Sequence, residues 1–540
     1  MRASKRDFRR NDNNRRKLMS KEKTDRLDDG SRRGFLRKAS LGTGAAFGAM
    51  ALGPAQAKPI EPMPAKWDET ADVVVIGSGF AGLAAAIEAK KAGANVIVLE
   101  KMRTPGGNSI INGGIIAVPG SAVQKEKGIV DSPEVMAADI FREGQGLSHP
   151  ELVKVLTASA VSTYEWTINE LGVKYREGRV GQEGGHAVPR HLFTHNSSGS
   201  GIVNQQLLKL KELGVEPRCT VFMERIIRDA DGRVKGVQVR EGYRFPNATS
   251  GKVKMIRANK AVILAHGGFG ADVAYRALHD PKLSAKFGTT NQPGATSEAW
   301  RESARIGCNI IQADWIQVGP WTSPDEKGMG LAPSFAGNAA QFGLWVECSS
   351  GKRFVNELAN RKVRADAVVD RLNKGDQCLA ICDAGGGDLL EANRPGALQK
   401  IVDAGVAKRY ANLDEVAAAY KIPLPALRKT VDHLNRYIQQ GKDEEFGRYL
   451  SKEAKPIGQG PFYVVRLSPK VHHCMGGIAI NTKAQALDVS TDQPIPGLYA
   501  AGEAAGGVHG AVRLGSVATV DCLAFGRIAG QNAVKEIAWS

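Results

Sequence analysis

The sequence predicts an α/β fold, an open doubly wound sheet interrupted by an inserted α+β unit, and three observations carry that expectation. The first is a complete βαβ unit. Asp72 to Ile76 is a short β-branched run of the kind expected for a strand buried on both faces. Gly77-Ser78-Gly79-Phe80-Ala81-Gly82 ends it and opens an Ala-rich helix, Leu83 to Ala92. After Gly93, Asn95 to Leu99 reads as a second strand, ending at Glu100. The second observation is the recurrence of buried-strand segments: Lys260 to Ala265 running into Gly267-Gly268, then Gly476 to Ile480 and Gly497 to Ala501 before a closing helix from about Ala518. Between Glu100 and Lys260, Glu151 to Leu171 and Gly201 to Leu213 have helical spacing, and Val221 to Val239, punctuated by Asp231-Gly232, reads as a hairpin. The third is a change of texture. From Asp314 to about Pro469, Pro/Gly-rich loops alternate with amphipathic helices such as Pro425 to Gln440. These boundaries predict one domain from 68–313 and 474–540 and an inserted domain, 314–473.

The turn at Gly77 carries the first chemistry. A GxGxxG pattern means little alone, but this one follows a strand, opens a helix and precedes an acidic residue at the end of the next strand. Gly77 allows the tight turn, Gly79 lets the backbone approach a pyrophosphate at the helix N-terminus, and Gly82 permits close helix–strand packing. Glu100 is placed to hydrogen-bond adenosine ribose hydroxyls. The flanks separate FAD from NAD. Lys101 to Gly114 supplies glycine-rich backbone around Asn108, Ser109, Gly113 and Gly114 where an isoalloxazine could lie. Near the C-terminus, Ala500-Ala501-Gly502-Glu503 resembles a second FAD-contact motif whose acidic residue meets the ribityl chain. Two separated segments closing on one cofactor favour FAD, in a Rossmann-like domain of glutathione-reductase type. No histidine occurs from Lys101 to Ser148, so the FAD is expected to be non-covalent. The expected cofactor set also takes in Ala81, Val221, Gly267, His473, Ala518 and Thr519.

Composition narrows the setting. With 540 residues, 42% hydrophobic and 24% charged, the chain reads as soluble and globular. The net charge of +17 would suggest nucleic acid, but residues 1–57 carry 15 Lys/Arg against 6 Asp/Glu, a net of +9 that leaves +8 for the rest. No basic run beyond residue 60 is interleaved with aromatics, so no nucleic-acid partner is expected. Ser31-Arg32-Arg33-Gly34-Phe35-Leu36-Arg37-Lys38 resembles a twin-arginine export motif, followed by a stretch of small residues, Ala39 to Leu52, and by Ala55-Gln56-Ala57. Residues 1–57 therefore read as an export signal cleaved after Ala57, with the mature protein periplasmic. The apolar stretch is too short for a membrane span, which needs about 20 apolar residues. Seven scattered cysteines do not make a disulfide framework, and Cys378 and Cys382 alone do not make a metal site, so no metal is expected. The absence of CxxCH means that the chain has no c-type haem of its own.

Several further segments point in one direction: Gly106-Gly107-Asn108-Ser109, Thr290 to Ala295, Gly351-Lys352-Arg353-Phe354-Val355-Asn356-Glu357, Val471-His472-His473-Cys474-Met475-Gly476-Gly477, and Ala501 to Gly515. From about residue 68 onward the chain resembles the flavoprotein part of the soluble periplasmic fumarate reductases, the flavocytochrome c family, whose relatives reduce urocanate, methacrylate and other α,β-unsaturated acids. The resemblance implies an FAD-dependent reductase acting on CH–CH groups in anaerobic respiration. The insert would cap the flavin, and a separate c-type cytochrome or quinol-linked donor would supply electrons. It makes Arg361, four residues after Glu357, the proton donor to the substrate carbon, and His473 and Arg513 the residues that hold a substrate carboxylate. Chemistry alone would favour a histidine as acid, since arginine has a pKa above about 12 and is normally a clamp. A cation at Arg361 can nevertheless both polarise a developing enolate and deliver the proton.

The departures from the fumarate pattern concern the substrate. A histidine that helps bind the second carboxylate is replaced by Gly319, and the threonine, glutamate and arginine of the second-carboxylate site and proton relay have no counterpart in Gly330 to Asn338. The surrounding region from Trp315 to Trp345 instead holds Trp315, Trp321, Phe335, Phe342 and Trp345, which favours a monocarboxylate with an uncharged or aromatic tail. Arg364 and Asp366 are relay candidates on position. Other readings are a true fumarate reductase, a dehydrogenase like the 3-ketosteroid dehydrogenases, which would need tyrosine acid/base groups in place of Arg361, and a non-enzymatic flavin electron carrier.

Overall fold

A computed structural model of the protein describes residues 63–540, so the expected export signal, 1–57, lies outside the described residues. Strands β1 (Glu69–Ile76) and β2 (Val96–Leu99) run parallel, with Val73 beside Val96 and Ile76 beside Leu99, and helix α1 (Phe80–Lys91) crosses between them. Val73 to Ile76 and all of β2 are buried, which is why both runs are apolar throughout and do not alternate. Two glycines fix the turn. Gly77 has φ +104° and a Cβ there would overlap the Ala265 carbonyl, while a Cβ on Gly82 would overlap the carbonyl of Gly77. The helix begins at Phe80, earlier than its Ala-rich run suggests, and the Phe80 N–H donates to Ser109 Oγ at 2.9 Å.

The expected hairpin forms from β3 (Val221–Arg228) and β4 (Val234–Glu241). β4 lies antiparallel to the first half of the long strand β5 (Lys252–Leu264), whose second half runs parallel to β1, with Val73 beside Ala261 and Ile76 beside Leu264. The chain continues through β6 (Ile316–Gly319). Beyond it lies a four-stranded antiparallel sheet in the order Leu344–Glu347, Cys378–Cys382, Phe462–Leu467, Ala407–Tyr410, with apolar clusters around Phe335 and Trp345 and around Leu379 and Leu427. Helix α2 (Arg361–Asn373) belongs to this region, and its N-cap Asn360 accepts from the Val363 N–H at 3.0 Å.

The return crossing is β7 (Lys470–Cys474), antiparallel to β6, which sets His473 opposite Gln317. Strand β8 (Pro494–Ala500) rejoins the main sheet beside β5, and α3 (Val517–Ala533) packs against α1. The main sheet is thus mixed: Gln485–Leu487, β8, β5, β1 and β2 in order, with the β3–β4 hairpin attached through β5. Parallel pairing at its centre brings the C-terminal ends of β1, β5 and β8 to one edge, where an open α/β sheet binds its ligand. The seven cysteines are free thiols; Cys378 and Cys382 are buried in the apolar cluster around Phe335 and Trp345.

Candidate active site

Two recesses meet the expected residues. The first runs along that edge of the sheet and is lined by Gly77, Gly79, Ala81, Glu100, Asn108, Ser109, Val221, Gly267 and Glu503, all of them expected from sequence. At one end Glu100 is held by three donors: the N–H and Oγ of Ser78 at 3.2 and 2.6 Å, and the Met102 N–H at 2.9 Å. At the other end Glu503 accepts from the Cys474 N–H at 2.9 Å. Gly82 lies beneath the turn, and Gly114 packs beside Thr194 and Ser198. Gly113 lines the second recess, and Ala518 and Thr519 sit in the first turn of α3, outside the lining of the first.

The residues present fit FAD on observations of the site itself. His266 Nε2, in the lining, is buried without a partner. Burial pushes the Glu503 carboxyl up to about 7 despite the N–H donor, Arg513 and Asn108, so the group has a use for a further donor such as a ribityl hydroxyl. The N-terminus of α1, whose first amides have no intrahelical partner, faces the same recess where a pyrophosphate would lie.

The second recess is a cleft of about 1040 Å³ lined by residues of both parts of the chain, among them Glu183, Trp321, Arg361, Arg364, Arg394 and Arg513. Its floor is organised by Gln317. The Gln317 Oε1 accepts from Arg361 Nη1 and from Arg513 Nη2, each at 2.9 Å, and its Nε2 donates to the Arg513 carbonyl at 2.9 Å. Burial depresses Arg361 against the opposing charge of Glu183, and burial and then repulsion by Arg361 depress Arg513 to about 9. His473, opposite Gln317, is buried with Nε2 unpartnered and Nδ1 3.4 Å from Glu503 Oε1; burial and then Arg513 hold it well below the usual histidine range, so it is neutral at pH 7. The structure therefore brings Arg361, His473 and Arg513 together.

The motif that precedes Arg361 is structural. Arg353 makes two hydrogen bonds to Glu357, at 2.8 and 2.7 Å, and two to Asp443, at 3.1 and 2.8 Å, all buried. This fixes the chain four residues before Arg361. The aromatic wall expected from sequence is largely core: Phe335 and Trp345 are fully buried, Phe342 nearly so, and Trp321 alone of the five lines the cleft, with Arg361 over its ring at 4.6 Å. Sequence reasoning missed Glu183, whose Oε2 accepts from Arg361 Nη2 at 3.1 Å; a lone Glu in a glycine-rich loop gives no local signal.

Residues 72–519 match the family described as FAD binding domain. Over 500 residues the chain is 39% identical to the acrylate reductase flavoprotein subunit of Shewanella woodyi, covering 92% of this chain and 97% of that one. It is 35% identical over 467 residues to the urocanate reductase of Eggerthella lenta, covering 86% and 74%. The open conformation of a flavocytochrome c3 fumarate reductase is similar in structure, with a TM-score of 0.72 at 31% identity over 87% of this chain and 79% of that one. Fold and site thus define an FAD-binding oxidoreductase. The chain belongs to the FAD binding domain family, in the group that includes these reductases.

Proposed function

We propose that the protein reduces the C=C bond of an α,β-unsaturated carboxylic acid, and that the substrate is a monocarboxylate. The observation that carries this reading is the convergence of two depressed guanidiniums, Arg361 and Arg513, on one carbonyl oxygen beside an unpartnered imidazole. Arg361 already pairs with Glu183, but Arg513 has no carboxylate partner among the described residues and its Nε is unpartnered; a substrate carboxylate supplies that partner. Reduced FAD, when bound, supplies a hydride from N5 to the β-carbon of such an acid. Arg513 and neutral His473 donate to the carboxylate and hold the double bond in register, and Arg361 polarises the developing enolate and protonates the α-carbon. A monocarboxylate is favoured by Gly319, which leaves the second-carboxylate position of the fumarate pattern without its histidine.

In this reading 314–473 caps the site, with β6 and β7 as its paired connections. FAD is non-covalent, and acid precipitation should leave the flavin in the supernatant. The protein works in the periplasm after twin-arginine export, in anaerobic respiration, taking electrons from a separate c-type cytochrome or quinol-linked donor. N-terminal sequencing of the exported protein should begin at Lys58. Among the described residues no helix is long and apolar enough to cross a membrane. The catalytic assignment is tested with Arg361→Ala: enoate reduction by viologen-coupled assay should fall by at least about 100-fold. Activity on a steroid, unchanged in Arg361→Ala, would favour the ketosteroid-dehydrogenase reading instead.

A further inference from the structure

An acid that gives up its proton at every turnover has to be recharged, and the proposed role of Arg361 requires a route for that proton. The two candidates offered by position do not supply it. Asp366 pairs with Lys362 at 2.7 Å and is half exposed, and Arg364 donates to the Glu357 carbonyl. Among the described residues, Glu183 is the carboxylate within ion-pair distance of Arg361.

We propose that Glu183 recharges Arg361: after the guanidinium has given its proton to the substrate carbon, the Glu183 carboxylate takes a proton from solvent in the cleft and passes it to the neutral guanidine, which restores both the carboxylate and the guanidinium. The inference rests on the enoate-reductase reading above. Geometry carries it. Glu183 Oε2 lies 3.1 Å from Arg361 Nη2, and its side chain is 42% exposed where that of Arg361 is 12%, so it reaches both the buried acid and the cleft. The site is shaped for this carboxylate. A Cβ on Gly515, two residues after Arg513, would collide with it, and the same residue's carbonyl lies 3.0 Å from His186 Nε2.

The electrostatics make the exchange self-resetting. Burial raises the affinity of Glu183 for a proton, but Arg361 first, then His191, Arg513 and His186, outweigh it and keep the carboxylate ionised while Arg361 is charged. Loss of the Arg361 proton removes the largest of those opposing charges, so Glu183 becomes more basic when a proton is needed. The other charged neighbours are Glu143 and Arg364 on the cleft wall and, behind His186, Arg190 bound to Asp139.

The test uses the FAD-loaded protein with Glu183→Gln and Glu183→Asp, and compares the first turnover of the reduced enzyme with steady-state turnover, in H₂O and D₂O. For Glu183→Gln a recharging role predicts a first turnover near the wild-type rate, steady-state kcat down by about 100-fold or more with an enlarged solvent isotope effect, and recovery with added formate. Binding of the saturated product acid, read as a perturbation of the oxidised flavin spectrum, should change less than about threefold, and Glu183→Asp should keep much of the steady-state rate. Steady-state kcat within threefold of wild type in Glu183→Gln would overturn the inference. So would a first turnover slowed as much as later ones together with weakened product binding, the pattern of a merely structural role. If the wild-type protein itself reduces no enoate, the function proposed above fails, and this inference with it.

Discussion

Gln317 Oε1 accepts from two buried guanidiniums at once, and only Arg361 has a carboxylate beside it, Glu183, so burying Arg513 is costly. On the proposed reading the substrate carboxylate relieves that cost, so Arg513 should dominate binding and Arg361 turnover. Arg513→Ala is expected to lower kcat/KM for an enoate by an amount equivalent to about 2–5 kcal/mol, or roughly 30- to 5000-fold, with flavin content unchanged; steady-state assay and the visible spectrum check both. Arg513→Lys should recover little, because a point charge cannot keep the hydrogen bonds that the guanidinium makes in two directions, to Gln317 and to the Leu514 carbonyl. At the other recess, Glu503 titrates near 7 because it is buried. A flavin hydroxyl that donates to the carboxylate favours its ionised form, so binding FAD releases a proton wherever the free group is protonated. FAD affinity should therefore rise with pH up to about 7 and level off above it. Fluorescence titration of the apoprotein measures this, and Glu503→Gln should flatten the dependence.

The element that presents Arg361 is held by charge in the core. Arg353, Glu357 and Asp443 are each nearly or fully inaccessible, so removal of one partner strands the others. Glu357→Ala is expected to cost about 3–5 kcal/mol, read as a lowered denaturation midpoint, and to reduce activity by loosening the start of α2. The same element shows what sequence could and could not convey. The βαβ unit was legible because its determinants are local: β-branched runs, turn glycines and an acid at the next strand end. Arg361, His473 and Arg513 were legible only because each lies in a recognisable motif. The pairing that joins them, Gln317 opposite His473 across β6 and β7, depends on two short strands about 150 residues apart in the chain. Glu183 is 178 residues from Arg361 and carries no pattern at all. The aromatic run was misleading for a related reason: a sequence lists Phe335 and Trp345 beside Trp321 without saying which of them faces inward.

At the scale of the molecule, the cleft is lined by six arginines, 176, 179, 361, 364, 394 and 513, against the carboxylates of Glu143 and Glu183. A recess with that imbalance concentrates small anions. The second-order rate constant for a carboxylate substrate should fall severalfold between low salt and about 0.5 M, with kcat little changed, because the steering charges are screened over about 10 Å or less. Charge reversal at the exposed rim residues Arg179 and Arg394 should reduce the salt dependence without altering the flavin spectrum. The most direct test of the central claim is anaerobic reoxidation of the reduced, FAD-loaded protein by fumarate, acrylate, methacrylate, cinnamate and urocanate. The proposed function predicts rapid reoxidation by at least one monocarboxylate, with formation of the saturated acid and fumarate inert; a flavin that stays reduced with every acid in the set would contradict it.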